Sequence, residues 1–225
     1  YTNSNLDLYY PADGSVLNLP FIQKNPNIIG DKAIYDIFFS EKIAYFACGF
    51  GMLKFDVESA EAEYTVFTNV PVQSTALFGG YIWMSTEDGL YRLPENDENP
   101  ADFGRWHLLG AAEGFPGATP TGALSVWNNS LFIGAGNTLQ RFDGSTFSEV
   151  ASQQNRTVEY LTSEGPGLMI GWTNASNFGL GTVEYLETGG ARYEIHGPCN
   201  GEFPLYGIES ESKKFWLSDQ NDGFL

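Results

Sequence analysis

The sequence predicts an all-β chain, a β-propeller built from blades of four antiparallel strands. Three observations predict it. Composition is 42% hydrophobic and 15% aromatic, with 26 Gly and 11 Pro in 225 residues. That suits many short strands joined by tight turns. One punctuation then recurs along the chain: an apolar strand, a short turn rich in Gly, Asn or Asp, and a second apolar strand. The glycines before the second strand, Gly51, Gly89, Gly136, Gly181 and Gly223, are spaced by 38, 47, 45 and 42 residues. A strand-rich period in the low forties is the length of a propeller blade.

The elements follow in order, with A the innermost strand of a blade and D the outermost. "NLDLYY" and "VLNLP" at the start read as strands C and D of a blade. The first whole unit reads "IYDIFF", "IAYFAC", "MLKFDV" and "EYTVFT". The second reads "ALF", "YIWMS", "LYRL" and "RWHLL", with turns "GG" and "TEDG" and the loop "PENDENPADFG". Alternation is clean in "LYRL" and weak in "IAYFAC", as expected of a half-exposed strand beside a buried one. The third and fourth units centre on Ser130–Gly144 and Gly167–Glu187, and "LYGIES" with "KFWLS" opens a fifth. Trp83, Trp127, Trp172 and Trp216 are placed to fill the space between stacked sheets. A single four-stranded sheet cannot hide both of its faces, whereas radial stacking covers both. The whole chain, 1–225, is thus expected to be one propeller domain, an incomplete slice of a seven-bladed ring. The alternative is a closed five-bladed ring, with the C-terminal A and B strands pairing with the N-terminal C and D strands. The chain starts at Tyr1 without a signal peptide and stops at "DQNDGFL", so a piece of a longer, processed protein is expected.

Charge excludes some partners. There are 28 acidic and 11 basic residues, a formal net charge of −17. Such a field repels a phosphate backbone, so nucleic acid is not expected. No apolar run nears the roughly 18 residues of a membrane helix, so direct insertion is not expected either. Cys48 and Cys199 make neither a disulfide framework nor a metal cluster.

The chemistry of catalysis is sparse. His107 and His196 are the two histidines, and no G-x-S-x-G elbow, H-E-x-x-H or paired Cys-x-x-Cys occurs. "GFGM" and "GAGN" do not complete a phosphate loop. "DQNDG" lacks the alternating ligands of a calcium loop, and "ENDENPAD", with Glu95, Asp97, Glu98 and Asp102, reads as a solvated C–D loop. Asn128, Asn155 and Asn174 sit in Asn-x-Ser/Thr triplets at a frequency chance explains. A ligand is expected at the face made by the D–A and B–C loops around the axis. There Phe115, Trp172 and Phe178 would be aromatic platforms, Asn174 an amide partner, and Glu87 and Asp219 turn carboxylates. The competing reading is that these side chains pack the loops.

"WMSTEDGLYRL" resembles the repeat of two-component regulator propellers, through Trp83, Thr86 and Asp88-Gly89-Leu90; "FWLSDQNDGFL", with Trp216 and Asp222-Gly223, is a weaker copy. The longer stretch from "NLDLYYPADGSVLNLPFIQKN" to "EAEYTVFT", together with "TEDGLYRLPENDENPADFGRWHLL", resembles the N-terminal propeller of PorZ-type proteins of the Bacteroidetes type IX (Por) secretion system. The similarity covers the first half of the chain. The blade at Ser130–Asp143 departs from the repeat: it lacks Trp and has no Asp-Gly in its B–C turn. The resemblance implies an exported protein of the periplasm or outer-membrane surface. It would have two seven-bladed propellers and a C-terminal sorting domain, working beside a sortase with anionic lipopolysaccharide. The expected function is therefore non-catalytic binding or scaffolding, with no cofactor and no metal. Its partners would be other envelope or secretion proteins, or a glycan or lipopolysaccharide. The alternatives are the periplasmic carbohydrate-sensing propeller of a hybrid two-component regulator, and a propeller hydrolase or lyase.

Overall fold

A computed structural model describes residues 5–116, 121–163, 166–174 and 181–195, and the backbone of strands within 204–210, 214–219 and 223–224. The chain is a β-propeller slice. Four four-stranded sheets follow one another, flanked by a two-stranded sheet at the start and a three-stranded one at the end.

The leading sheet is β1 (Leu6–Tyr10) and β2 (Ser15–Leu19). A single helical turn, Phe21–Lys24, leads on to blade one. That blade is β3 (Ile34–Ser40), β4 (Ile43–Cys48), β5 (Gly51–Asp56) and β6 (Glu61–Phe67). Blade two is β7 (Val72–Phe78), β8 (Tyr81–Thr86), β9 (Gly89–Pro94) and β10 (His107–Leu108). Blade three is β11 (Thr121–Trp127), β12 (Ser130–Ala135), β13 (Thr138–Phe142) and β14 (Phe147–Ser152). Blade four is β15 (Thr157–Thr162), β16 (Gly167–Thr173), β17 (Thr182–Glu187) and β18 (Arg192–Ile195). The last sheet is β19 (Pro204–Ser210), β20 (Lys214–Asp219) and β21 (Gly223–Phe224). Each blade is an antiparallel meander in chain order.

The five-bladed closure is not adopted. β20 pairs with β21 in its own sheet, and β1 pairs with β2 in another. The place beside β20 that β1 would need is taken by the chain's own next strand.

Cores lie between blades, which is why the unit must repeat. Tyr45, Met52 and Val66 of blade one bury against Val72, Ile82 and Met84 of blade two. Trp83 and Leu90 of blade two bury against Leu124, Leu131 and Phe142 of blade three. Phe132 and Leu139 of blade three meet Val158, Leu168 and Trp172 of blade four. The helical turn and the leading sheet cover the free face of blade one through Ile22, Leu6 and Leu19. The second strand of each blade is buried on both faces, so its sequence is a continuous apolar run; β4 and β8 are buried at all but their first residue.

The "W-x-x-T-x-D-G" pattern is a turn lock. Trp83 is fully buried, and its indole Nε1 donates to the Phe78 carbonyl at 2.9 Å. The Thr86 hydroxyl donates to the Gly89 carbonyl at 3.0 Å and accepts the Asp88 N–H at 3.2 Å. Gly89 has φ 134° and its counterpart Gly51 φ 135°, a region closed to side chains. A Cβ on Gly51 would also lie 2.0 Å from the Val66 carbonyl oxygen. Blade three does this differently. Gly136, at φ 56°, lies inside the turn, and strand β13 opens at Thr138, whose hydroxyl donates to Ala135 at 2.8 Å.

Candidate functional site: the axial channel and its rim

The first strands of consecutive blades, β3, β7, β11 and β15, lie side by side and line one channel of about 580 Å³. Each carries an irregularity near its start, after the first pair in β3, β7 and β11 and after the second in β15. The register skips Tyr35 in β3, Gln73 in β7, residues 122–123 in β11 and Glu159 in β15. Backbone register skips Leu205 of β19 in the same way. A bulge of this kind leaves one residue unpaired and re-aims its side chain. All four of these strands therefore present their irregular residues to the channel at one end.

A polar chain ties three blades together beneath that end. The Ser74 hydroxyl donates to Asp36 Oδ2 at 2.6 Å and accepts the Leu124 N–H at 3.2 Å. Burial raises the Asp36 carboxyl above its ordinary value, opposed by the Ser74 hydroxyl and the N–H groups of Ile37 and Thr75. A second tie joins blades two and three. The Thr121 hydroxyl accepts the Thr86 N–H at 3.1 Å and donates toward the Gly89 carbonyl at 2.8 Å.

The rim is acidic and hydroxylated. Asp31 Oδ2 accepts the Tyr35 phenol at 2.6 Å, and Oδ1 accepts the Ala33 N–H at 2.9 Å. Both bonds hold the Asp31 carboxyl below its usual range, and the hydrogen bond to Asp31 pushes the Tyr35 phenol up to about 12, with smaller pushes from burial and then from the Asp31 and Glu87 charges. Gly49 makes room for Asp31, since a Cβ there would fall 2.5 Å from its carboxylate. Tyr35 is 46% exposed and Phe39, further down the same strand and also lining the channel, is 61% exposed. Among the described residues, no side chain lining the channel is Lys, Arg or His.

The residues expected at this face divide. Glu87 stands exposed in the B–C turn of blade two and Asn174 is half-buried where β16 runs out into its B–C loop. Asp219 ends β20, at the matching turn of the last sheet, with its side chain outside the described residues. Phe178 lies outside the described residues. Phe115 and Trp172 need correction as exposed platforms. Phe115 is 1% exposed, because its loop folds back, Phe115 N–H to Gly110 carbonyl at 3.1 Å, and sets the ring 5.2 Å from Phe147 between blades two and three. Trp172 is fully buried between blades three and four, its Nε1 donating to Glu184 at 2.8 Å. The packing reading describes both.

Sequence reading missed Tyr35, Asp36, Phe39, Gln73 and Glu159. Their signal was present: a polar pair or a charge interrupts an innermost apolar strand near its start in "IYDIFF", "VQSTALF" and "TVEYLT". Other candidates resolve as structure. His107 Nε2 sits 3.0 Å from Glu113 on the outer edge of blade two. Asp97 accepts both Arg105 Nε and a terminal guanidinium nitrogen, at 2.7 and 2.8 Å, which closes the acidic C–D loop on itself. Cys48 is buried, and burial pushes its thiol up to about 12. Among the described residues no group of three or more His, Cys, Asp and Glu side chains is placed to hold a metal. Among them, too, no helix is long and apolar enough to cross a membrane.

Fold and channel define the class: a β-propeller whose innermost strands line a polar axial channel. Residues 1–107 match the family model of the PorZ N-terminal β-propeller domain of the type IX secretion system. The chain is similar in structure to PorZ of Porphyromonas gingivalis, described as an essential bacterial surface component of that system. The overlay has TM-score 0.77 at 20% identity and covers 100% of this chain and 28% of PorZ. It is also similar to the extracellular domain of a hybrid two-component system of B. thetaiotaomicron, with TM-score 0.70 at 15% identity, covering 99% of this chain and 30% of that one. A streptogramin B lyase structure overlays with TM-score 0.59 at 13% identity, covering 95% of this chain and 65% of that one. The chain thus spans less than a third of the length of the PorZ and sensor structures it resembles. No curated protein sequence matches it.

Proposed function

We propose that the chain is a non-catalytic binding and scaffolding propeller of an exported cell-envelope protein, PorZ-like, acting in type IX secretion and in surface attachment of cargo with anionic lipopolysaccharide. The observation that carries the reading is the family match over residues 1–107, joined to a PorZ overlay that runs through every blade of the chain. Its partners are other envelope or secretion proteins, or a glycan. The contact face is the end of the propeller that holds Tyr35, Glu87 and Asn174, together with the turn that ends β20 at Asp219; the expected Phe178 lies outside the described residues.

The sensor overlay, over nearly the whole chain, favours a second reading, a carbohydrate-sensing propeller of a hybrid two-component regulator. Deleting the gene in the organism that encodes it separates the two. The first reading predicts cargo lost from the cell surface, with polysaccharide-induced transcription unchanged. Intact surface cargo with lost transcriptional induction would overturn it in favour of the sensor. A catalytic role predicts turnover of a polysaccharide or ester by the purified chain, abolished by Glu159→Gln or Asp36→Asn.

A further inference from the structure

The channel itself says which ligands suit it, on the reading that the chain is a binding module. Among the described residues its wall is made by four adjacent strands and holds no cationic side chain, while Asp36 and Glu159 both line it. Any sulfate, phosphate or carboxylate on a ligand would meet two carboxylates and no counter-charge, inside a chain of net charge −17. Two aromatic rings, Tyr35 and Phe39, are nevertheless left exposed on β3. Their backbone positions stand roughly 13 Å apart along the strand, from a rise of about 3.3 Å per residue. Exposed rings beside amide, hydroxyl and carboxylate groups offer an apolar face together with hydrogen-bond partners.

We propose that the axial channel binds an uncharged, hydroxyl-rich chain, an oligosaccharide without acidic substituents, running along β3. Tyr35 and Phe39 stack on its sugar faces. Gln73 and Glu159, re-aimed by their bulges, accept from its hydroxyl groups, and the Gln73 amide also donates. The Tyr35 ring is held ready for this by its bond to Asp31. Anionic polysaccharide, where the protein meets it, is then engaged by some other surface or through a neutral segment.

The test is calorimetric titration of the chain with cellohexaose, mannohexaose and chitohexaose as neutral probes and hexagalacturonate as the anionic one. At least one neutral probe should bind, and hexagalacturonate should not. Tyr35→Ala and Phe39→Ala should each weaken the neutral probe about tenfold or more. Tyr193→Ala, an exposed ring on the outer strand of blade four, should leave it unchanged. Gln73→Ala, which removes no ring, should weaken it less and serves where a ring variant unfolds. The proposal is overturned if hexagalacturonate binds best, if no neutral probe binds, or if binding survives both ring substitutions. Should the hexasaccharides fail while isolated lipopolysaccharide or an envelope protein binds, the channel proposal falls and the binding-module reading stands. Should none of them bind, both fall.

Discussion

At the scale of single residues, the fold rests on backbone conformations and protonation states that few side chains could supply. Gly51→Ala combines a forbidden φ with a collision against Val66, and is expected to cost about 3 kcal/mol or more by denaturant unfolding. Gly144, at φ 101° with open space around it, should cost only about 1–2 kcal/mol on the same change, from backbone strain alone. Asp36 and Asp143 should respond to pH in opposite senses. The folded Asp36 carboxyl is raised above 3.8, so its favourable contribution is present below that pH and is lost as pH rises through the folded value. Asp143 is lowered by the N–H groups of Thr146 and Ser145 and by the Ser145 hydroxyl. Its contribution is present above 3.8 and is lost as pH falls toward the folded value. The stability of Asp36→Asn relative to the parent should therefore improve as pH rises from 3 to 6, and that of Asp143→Asn should worsen. Parallel slopes in paired urea titrations would contradict both assignments.

Strands and turns show how much the sequence disclosed and where it stopped. Strand pairs, the turn residues Asp88-Gly89 and the buried Trp83 were legible, because a strand buried on both faces writes a continuous apolar run and a tight turn writes Gly or Asp. The outermost strand of blade two was overread: "RWHLL" contributes only His107–Leu108 to the ladder, while Trp106 turns inward and donates to the Pro100 carbonyl at 3.0 Å. Gly136 misled because a turn can hold its positive φ at more than one position. Aromatic residues in loops were hardest to read, since Phe115 as a platform and Phe115 as a plug have the same sequence. Only the path of the chain after Gly110 decides between them. Trp83→Ala should cost about 3–5 kcal/mol, as a large buried ring between two blades. Thr121→Val should cost about 1–3 kcal/mol, because the buried Thr86 N–H and Gly89 carbonyl lose a partner. Thermal unfolding of both variants checks whether blades two and three melt as a unit.

Across the whole molecule, each blade depends on its neighbours, as in any array stabilised by nearest-neighbour interfaces. Blade pairs share cores, polar ties cross from Asp36 through Ser74 to β11, and residues far apart in sequence meet at one axis. Both the proposed function and the channel ligand require that convergence. A nitroxide attached at Glu159→Cys, with Cys199→Ser and the buried Cys48 left in place, reads it directly through paramagnetic broadening of amide signals. Broadening should reach Tyr35, Gln73 and Ser125 on the other channel-lining strands. It should spare Asp56 and Asp143 in the outer C–D turns. Broadening confined to blade four, or reaching the outer turns as strongly as the inner strands, would contradict a shared axis.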